Sequence, residues 1–286
     1  MRTWYFLSIV LLVVLQLAAQ TKESPRQGDQ QSGKECSLGQ FPFVVAVLDG
    51  YYNIWCTAAL ITASRGLTVA HRFTGWTKRV FFCMGGDTKV VKGSDLRFRQ
   101  IKVIVGCRMH PKAEMRFGSS IGYNVEYDQA VITLDSPFVL SSYLSTIRIS
   151  TTHLSEGRDC YLVAFNYSSS YSESEQGLRY GKFISNKKET CPIYSKNYPS
   201  IYCTQGEMVS TNEGNKGGLL ITPRKPYELY GTFARRNVFS NAVRNARWIY
   251  AAVNRGCKAS FVMRSLIDLC ARSTLTYESF FSDSFM

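Results

Sequence analysis

The chain has 286 residues, 45% of them hydrophobic and 19% charged, a balance that excludes wholesale disorder and supplies enough apolar surface for one large domain or two modest ones. Its formal charge of +13 favours anionic partners such as sulfated glycans, acidic proteins or an anionic membrane surface, or else simply aids solubility. Nine cysteines fit an oxidising compartment, and no CxxC pair or Cys/His cluster with zinc spacing occurs, so neither a metal nor another cofactor is expected.

The N-terminus reads as a secretory signal over residues 1–19. Arg2 precedes an apolar run, Trp4 to Leu17, broken only by Ser8 and Gln16, and Ala18 and Ala19 follow it. The run is shorter than the ~20 residues that cross a bilayer, which favours removal over anchoring. No other segment is long and apolar enough to span. A secreted, extracellular protein is therefore expected, one that rarely meets nucleic acid. Residues 20–37 are polar, lack periodicity and read as a mobile leader that contains Cys36.

From Phe41 the texture changes to short apolar or alternating runs: PFVVAVL, TAALIT, RVFFCM, IKVIVG, QAVITL, STIRIS and CYLVAF, punctuated by Gly, Ser, Asn, Asp and Pro. Many short strands at this spacing predict an all-β sandwich or a pair of barrels. Roughly 230 residues of such texture is too much for one small barrel, so two stacked β-domains are expected. Near the end, Ser240 to Val253 reads as a helix with Val243, Trp248 or Ile249, and Val253 on one face. Arg264 to Arg272 reads as a second short helix, and residues 273–286 as a frayed or loosely docked tail. Asn166, in Asn-Tyr-Ser, is a glycosylation sequon, a pattern short enough to arise by chance.

Three segments carry chemistry, in a telling order. The first is CTAALI from Cys56, followed by LTVAH ending at His71. The second is YDQAVITL from Tyr127, which contains Asp128 and precedes Ser136-Pro137. The third is EGNKGGLLI from Glu213 to Ile221. Here the chain resembles the trypsin/chymotrypsin family over about residues 37–270. Members show a cysteine near a Thr-Ala-Ala-His motif, then Asp-Ile-Ala-Leu before Ser-Pro, then Gly-Asp-Ser-Gly-Gly-Pro-Leu. The order His, Asp, Ser separates this family from subtilisins and α/β-hydrolases. Gly39-Gln-Phe-Pro42, His110-Pro111 and the segment Gly157 to Cys160 sit where the family has similar features.

The resemblance implies two six-stranded antiparallel Greek-key β-barrels in a domain spanning 38–272. The first barrel would cover about 38–145 and the second about 146–272, with a short C-terminal helix. It makes His71 the general base and Asp128 the carboxylate that holds the imidazole in one tautomer. Lys216 then stands at the nucleophile, where an ammonium has no free electron pair near neutral pH. Gly214 and Asn215 fall in the oxyanion loop. Asn215 replaces the aspartate that, in the family, pairs with the new N-terminus made by activating cleavage. No Ile-Val-Gly-Gly stretch precedes Gly39 to supply that terminus. Ser210 would stand at the base of the specificity pocket, where it cannot select Arg or Lys as an aspartate does.

The resemblance also suggests a bridge between Cys191 and Cys203. Cys56 keeps its family position, but its partner's place is taken by Arg72. Cys83 and Cys107 lie on neighbouring segments and either pair or stay as buried thiols. Between Thr232 and Gly256 the chain runs longer than the family pattern, as an apparent helical, basic insertion in the second barrel. Its arginines, Arg235, Arg236, Arg244, Arg247 and Arg255, form either a partner-binding surface or a solvated face.

Similarity to the secreted serine protease homologues abundant in insects implies a non-catalytic binding or regulatory module. Its protein partner would be a protease, an inhibitor or another component of a proteolytic cascade in immunity or reproduction. Two alternatives stay open: an endopeptidase using His71 and Asp128 with another nucleophile, Ser210 or Thr211, and a basic protein that binds anionic glycans or membrane surfaces.

Overall fold

The computed structural model describes residues 33–74, 79–90, 97–117, 120–166, 177–186, 201–206, 215–235 and 238–255. The expected signal segment, most of the leader, the helix at 264–272 and the tail at 273–286 lie outside the described residues.

The first barrel is a closed ring of six antiparallel strands: β2 (Val44–Leu48), β3 (Ile54–Thr62), β4 (Arg65–Thr68), β9 (Ala130–Leu134), β6 (Gln100–Met109) and β5 (Phe82–Gly85). β7 (Glu114–Phe117) and β8 (Ser120–Tyr123) form a separate hairpin inserted between β6 and β9. Sequence alternation explains how β2 serves two cores. Val45 and Val47 face the barrel interior with Cys56, Ala58, Leu60 and Ile132. Val44, Ala46 and Leu48 face the opposite way, into a layer shared with the second barrel. All five residues of β2 are buried, which is why VVAVL reads as a continuous apolar run rather than an alternating one.

The second barrel closes through β11 (Asp159–Asn166), β12 (Gly177–Ser185), β13 (Ile201–Gly206), β16 (Val238–Asn241), β15 (Glu228–Arg235) and β14 (Leu219–Ile221). Leu162, Phe183, Leu220, Phe233 and Phe239 fill its interior. Val163, Phe165, Leu178, Leu219 and Leu229 point outward to meet β2 and β3 of the first barrel. Each such fully buried side chain contributes roughly 1.5–3 kcal/mol, so the inter-barrel layer fixes how the two halves meet. β10 (Arg148–Ile149) adds a parallel pairing to β15.

Three expectations need correction. The end of the supposed leader is built into the fold. β1 (Lys34–Glu35) pairs with β12, and Cys36 is buried with its amide donating to the Leu178 carbonyl at 3.0 Å. The basic stretch from Thr232 is not an insertion. Thr232–Arg235 and Val238–Asn241 belong to barrel strands, β15 and β16, and Ala246–Asn254 is the C-terminal helix α1. The helix starts later than its apolar pattern suggests, because Val238–Asn241 pair on both sides, with β13 and β15. Sheet pairing overrides local helical periodicity here. Ile249, Ala252 and Val253 are its buried face.

Candidate functional site

His71 opens a 3-10 helix, His71–Phe73, three residues beyond the end of β4. Phe73 is buried in the first barrel's core and anchors this turn. Asp128 follows a second 3-10 helix, Val125–Tyr127, just before β9. The two meet at the barrel junction. His71 Nδ1 lies 2.6 Å from Asp128 Oδ2, and the His71 backbone amide donates to Asp128 Oδ1 at 2.9 Å. An ionised carboxylate only accepts, so Nδ1 carries the proton and Nε2 keeps the lone pair in the neutral ring. Asp128 is 2% exposed, and His71 Nε2 is buried without a hydrogen-bond partner. The pairing expected from sequence is therefore formed, and the imidazole is oriented as a general base requires.

The segment carrying Asp128 is fixed by polar groups of the second barrel that sequence reasoning missed. Ser240 Oγ donates to the Val125 carbonyl at 2.5 Å. Asn245 Nδ2 donates to the Glu126 carbonyl at 2.8 Å and to Gln129 Oε1 at 2.9 Å. Gln129, Ser240 and Asn245 are all buried, and buried polar groups persist only when paired. Their signal in the sequence was weak: isolated polar residues inside otherwise apolar strand texture.

The third segment reaches the same corner through its backbone. The Thr57 amide donates to the Lys216 carbonyl at 2.9 Å, and the Gly217 amide donates to the Phe233 carbonyl at 2.9 Å. Thr57 Oγ1 accepts from the Phe165 amide at 2.9 Å, and Thr68 Oγ1 donates to the Thr57 carbonyl at 2.6 Å. Thr57 thus joins β3 to the second barrel and to the Lys216 turn at once. Gly217 has φ +79°, and a Cβ there would stand 2.1 Å from the Thr57 carbonyl oxygen. Only glycine fits so close an approach. Asn215 is fully buried and Lys216 half-buried. Gly214 and Ser210 lie outside the described residues.

Two further groups surround the histidine. Tyr123, at the end of β8, sets its ring edge-on to the imidazole, with centroids 5.8 Å apart, and its hydroxyl contacts Thr74 Oγ1. Burial is the first cause that raises the Tyr123 phenol above its ordinary range, followed by the Glu114 and Asp128 charges. On the other side, Arg72 takes over from the bridge the resemblance would place at Cys56. Its Nε and Nη2 donate to the Trp55 carbonyl at 3.1 and 2.8 Å, and its guanidinium carbon lies 3.9 Å from the Trp55 ring centre. Trp55 Nε1 donates back to the Arg72 carbonyl at 2.8 Å.

The cysteines divide accordingly. Cys56 is a buried free thiol with its sulfur 3.4 Å from Thr68 Oγ1. Cys83 is also a buried free thiol, so the possible pairing with Cys107 is not made. Cys83 stands opposite Lys102 and Cys107 opposite Ile132, so the register does not put the two cysteines across from each other. Burial pushes the Cys36, Cys56 and Cys160 thiols up to about 12, which leaves them protonated and unreactive. Cys203 is disulfide-bonded; Cys191, its expected partner, lies outside the described residues.

Among the other expected residues, Arg235 ends β15, Arg247 lies on the exposed face of α1, and Arg244 and Arg255 flank that helix. All four are exposed, and Arg236 lies outside the described residues. Asn166 is the last residue of β11, paired with Gly177, and the rest of its sequon lies outside. Among the described residues no cluster of three His, Cys, Asp or Glu side chains is placed to hold a metal ion. No described helix is long and apolar enough to cross a membrane.

Comparison with known proteins agrees with this geometry. The trypsin family model matches residues 30–255. No curated protein matches the chain at a significant level. Two closed six-stranded antiparallel barrels, a histidine–aspartate pair at their junction and a family match over most of the chain place it in the trypsin family.

Proposed function

We propose that this chain is a secreted, non-catalytic member of the trypsin family that acts by binding a protein partner, such as a protease, an inhibitor or a cascade component. The observation that carries this reading is Lys216, which stands in Gly214-Asn-Lys-Gly-Gly218 where the family's Gly-Asp-Ser-Gly-Gly has its nucleophile. A serine hydroxyl attacks a carbonyl while an imidazole takes its proton; a lysine side chain has no hydroxyl to give. Loss of that serine typically costs about 10⁶ in turnover. Asn215 supports the reading independently, because an amide cannot form the ion pair by which the family's oxyanion loop is ordered.

Fluorophosphonate labelling of the purified secreted protein tests the proposal. Active trypsin-family enzymes label stoichiometrically at their nucleophile. This chain is expected to stay unlabelled and to leave peptide substrates intact. Stoichiometric labelling of any serine or threonine would overturn it.

A further inference from the structure

The second barrel carries a feature that the histidine–aspartate site does not use. Two hollows, of about 330 and 830 Å³, lie on either side of the segment His153-Leu-Ser155, which lines both. The larger is bounded by Arg158 and Asp159 at the start of β11, Lys182 on β12 and Arg224 in the turn between β14 and β15. The smaller continues past the shared wall to Glu156 and to Arg244, just before α1. No residue of either hollow belongs to the His71–Asp128 site.

The charges along this path are unbalanced. Arg158, Lys182, Arg224 and Arg244 face Glu156 and Asp159, and all six are exposed. Asp159 is already held by Lys182 at 2.9 Å. The path therefore presents spaced guanidinium groups with an excess of positive charge. Guanidinium forks match the oxygens of sulfate and phosphate bidentately. Between them stand hydroxyls of Thr152 and Ser155 and the half-buried rings of Tyr161 and Tyr230. Hydroxyls bond sugar hydroxyls, and aromatic faces accept sugar C–H edges. Apolar pockets of the kind that anchor a peptide side chain are scarce here: Leu154, the apolar residue of the shared wall, is itself buried.

We infer that the two hollows form one groove that binds an extended sulfated polysaccharide, with sulfates on the arginines and sugar rings across the His153–Ser155 wall. The site is independent of whether the cleft catalyses. It also differs from a binding surface formed by the basic stretch after Thr232, since only Arg244 is shared.

The test compares the full secreted protein with two variants of equal charge. One neutralises the groove (Arg158→Gln, Lys182→Gln, Arg224→Gln). The other removes three cations from the first barrel (Arg79→Gln, Lys102→Gln, Arg108→Gln). The groove positions are exposed, and thermal unfolding verifies that both variants fold. Affinity for a short heparin oligosaccharide is measured at physiological salt, with the fully desulfated oligosaccharide and polyglutamate as comparison ligands. The groove variant is expected to lose roughly tenfold or more in affinity, as three weak exposed charge contacts imply, and the first-barrel variant less than about twofold. Desulfated oligosaccharide should bind weakly at best. Equal losses in both variants, or unchanged affinity in the groove variant, overturn the inference. So does polyglutamate binding more tightly than the sulfated sugar, which would assign the groove to an acidic protein.

Discussion

Replacing Arg72 by alanine isolates the device that holds the His71 turn to β3. The substitution removes the two guanidinium hydrogen bonds to the Trp55 carbonyl, at 3.1 and 2.8 Å, and the stack at 3.9 Å from the ring centre. It leaves the bond from Trp55 Nε1 to the Arg72 carbonyl in place. The two bonds share one acceptor, so together they count as one charge-assisted bond of about 1.5 kcal/mol. The stack adds about 1 kcal/mol at a half-buried site. Arg72→Ala should therefore destabilise the domain by roughly 2–3 kcal/mol, a drop of about 5–10 °C in Tm for a chain of this size. Urea unfolding of Arg72→Ala, Trp55→Leu and the double variant gives the pairwise coupling, expected near 1 kcal/mol. A coupling indistinguishable from zero, with Arg72→Ala within about 0.5 kcal/mol of wild type, would refute the latch. Arg72→Cys offers a converse check. Oxidised to a bridge with Cys56, it should recover about 3 kcal/mol relative to its reduced form.

Other consequences are simpler to state. Gly217→Ala should cost more than about 3 kcal/mol by urea unfolding, because its φ is +79° and the new methyl would meet the Thr57 carbonyl at 2.1 Å. Gly157→Ala, with φ +69° and nothing within 4 Å, should cost only about 1–2 kcal/mol. Asp128→Ala should lose roughly 2–4 kcal/mol by urea unfolding, since it strands the His71 amide and Nδ1. Burial first, and then the Lys112 charge, lowers His110 from the ordinary 6.5 to about 4. Its ring stacks on Tyr127 and lies against Trp248. The unfolded chain then binds a proton that the folded chain refuses. Stability is full above pH 6.5 and falls as pH drops toward 4. A His110→Gln variant should show a flatter stability profile across that window; an identical profile would assign the acid sensitivity elsewhere.

Much of the fold was legible because both faces of the central strands are buried. β2 and β9 read as largely apolar runs, VVAVL and AVITL, and the turn residues between such runs marked a chain of many short strands, while six strands per barrel came from the family resemblance. The His71–Asp128 pair was legible because its flanking motifs keep family order. What stayed hidden has a common cause, namely pairing between distant segments. Ser240 and Asn241 read as the start of a helix within a supposed insertion, yet they end the strand Val238–Asn241, which lies between β13 and β15. Lys34 and Glu35 look like polar leader, yet their backbones complete an edge beside Tyr180 and Arg179. Arg72 looked like a lost cysteine partner, and only the fold shows Trp55 lying against it. No local signal announces a contact made across 17 residues by a cation and a ring.

The same interactions load the side chain at 128 and the backbone at 216 differently. Asp128 does structural work with its side chain: both carboxylate oxygens are used by His71, within a buried segment tied to Ser240 and Asn245 of the other barrel. Removing it would leave buried donors unpaired at the seam between the barrels, a cost of about 1–3 kcal/mol each. Position 216 joins the seam through its backbone. Its carbonyl accepts from Thr57, and the turn behind it is fixed by Gly217 bonding to Phe233 and packing against Thr57 and Thr68. These bonds stand whichever side chain position 216 carries, whereas the bonds at the seam made by Asp128 are lost with its carboxylate. The seam therefore depends on the side chain at 128 and on the backbone at 216.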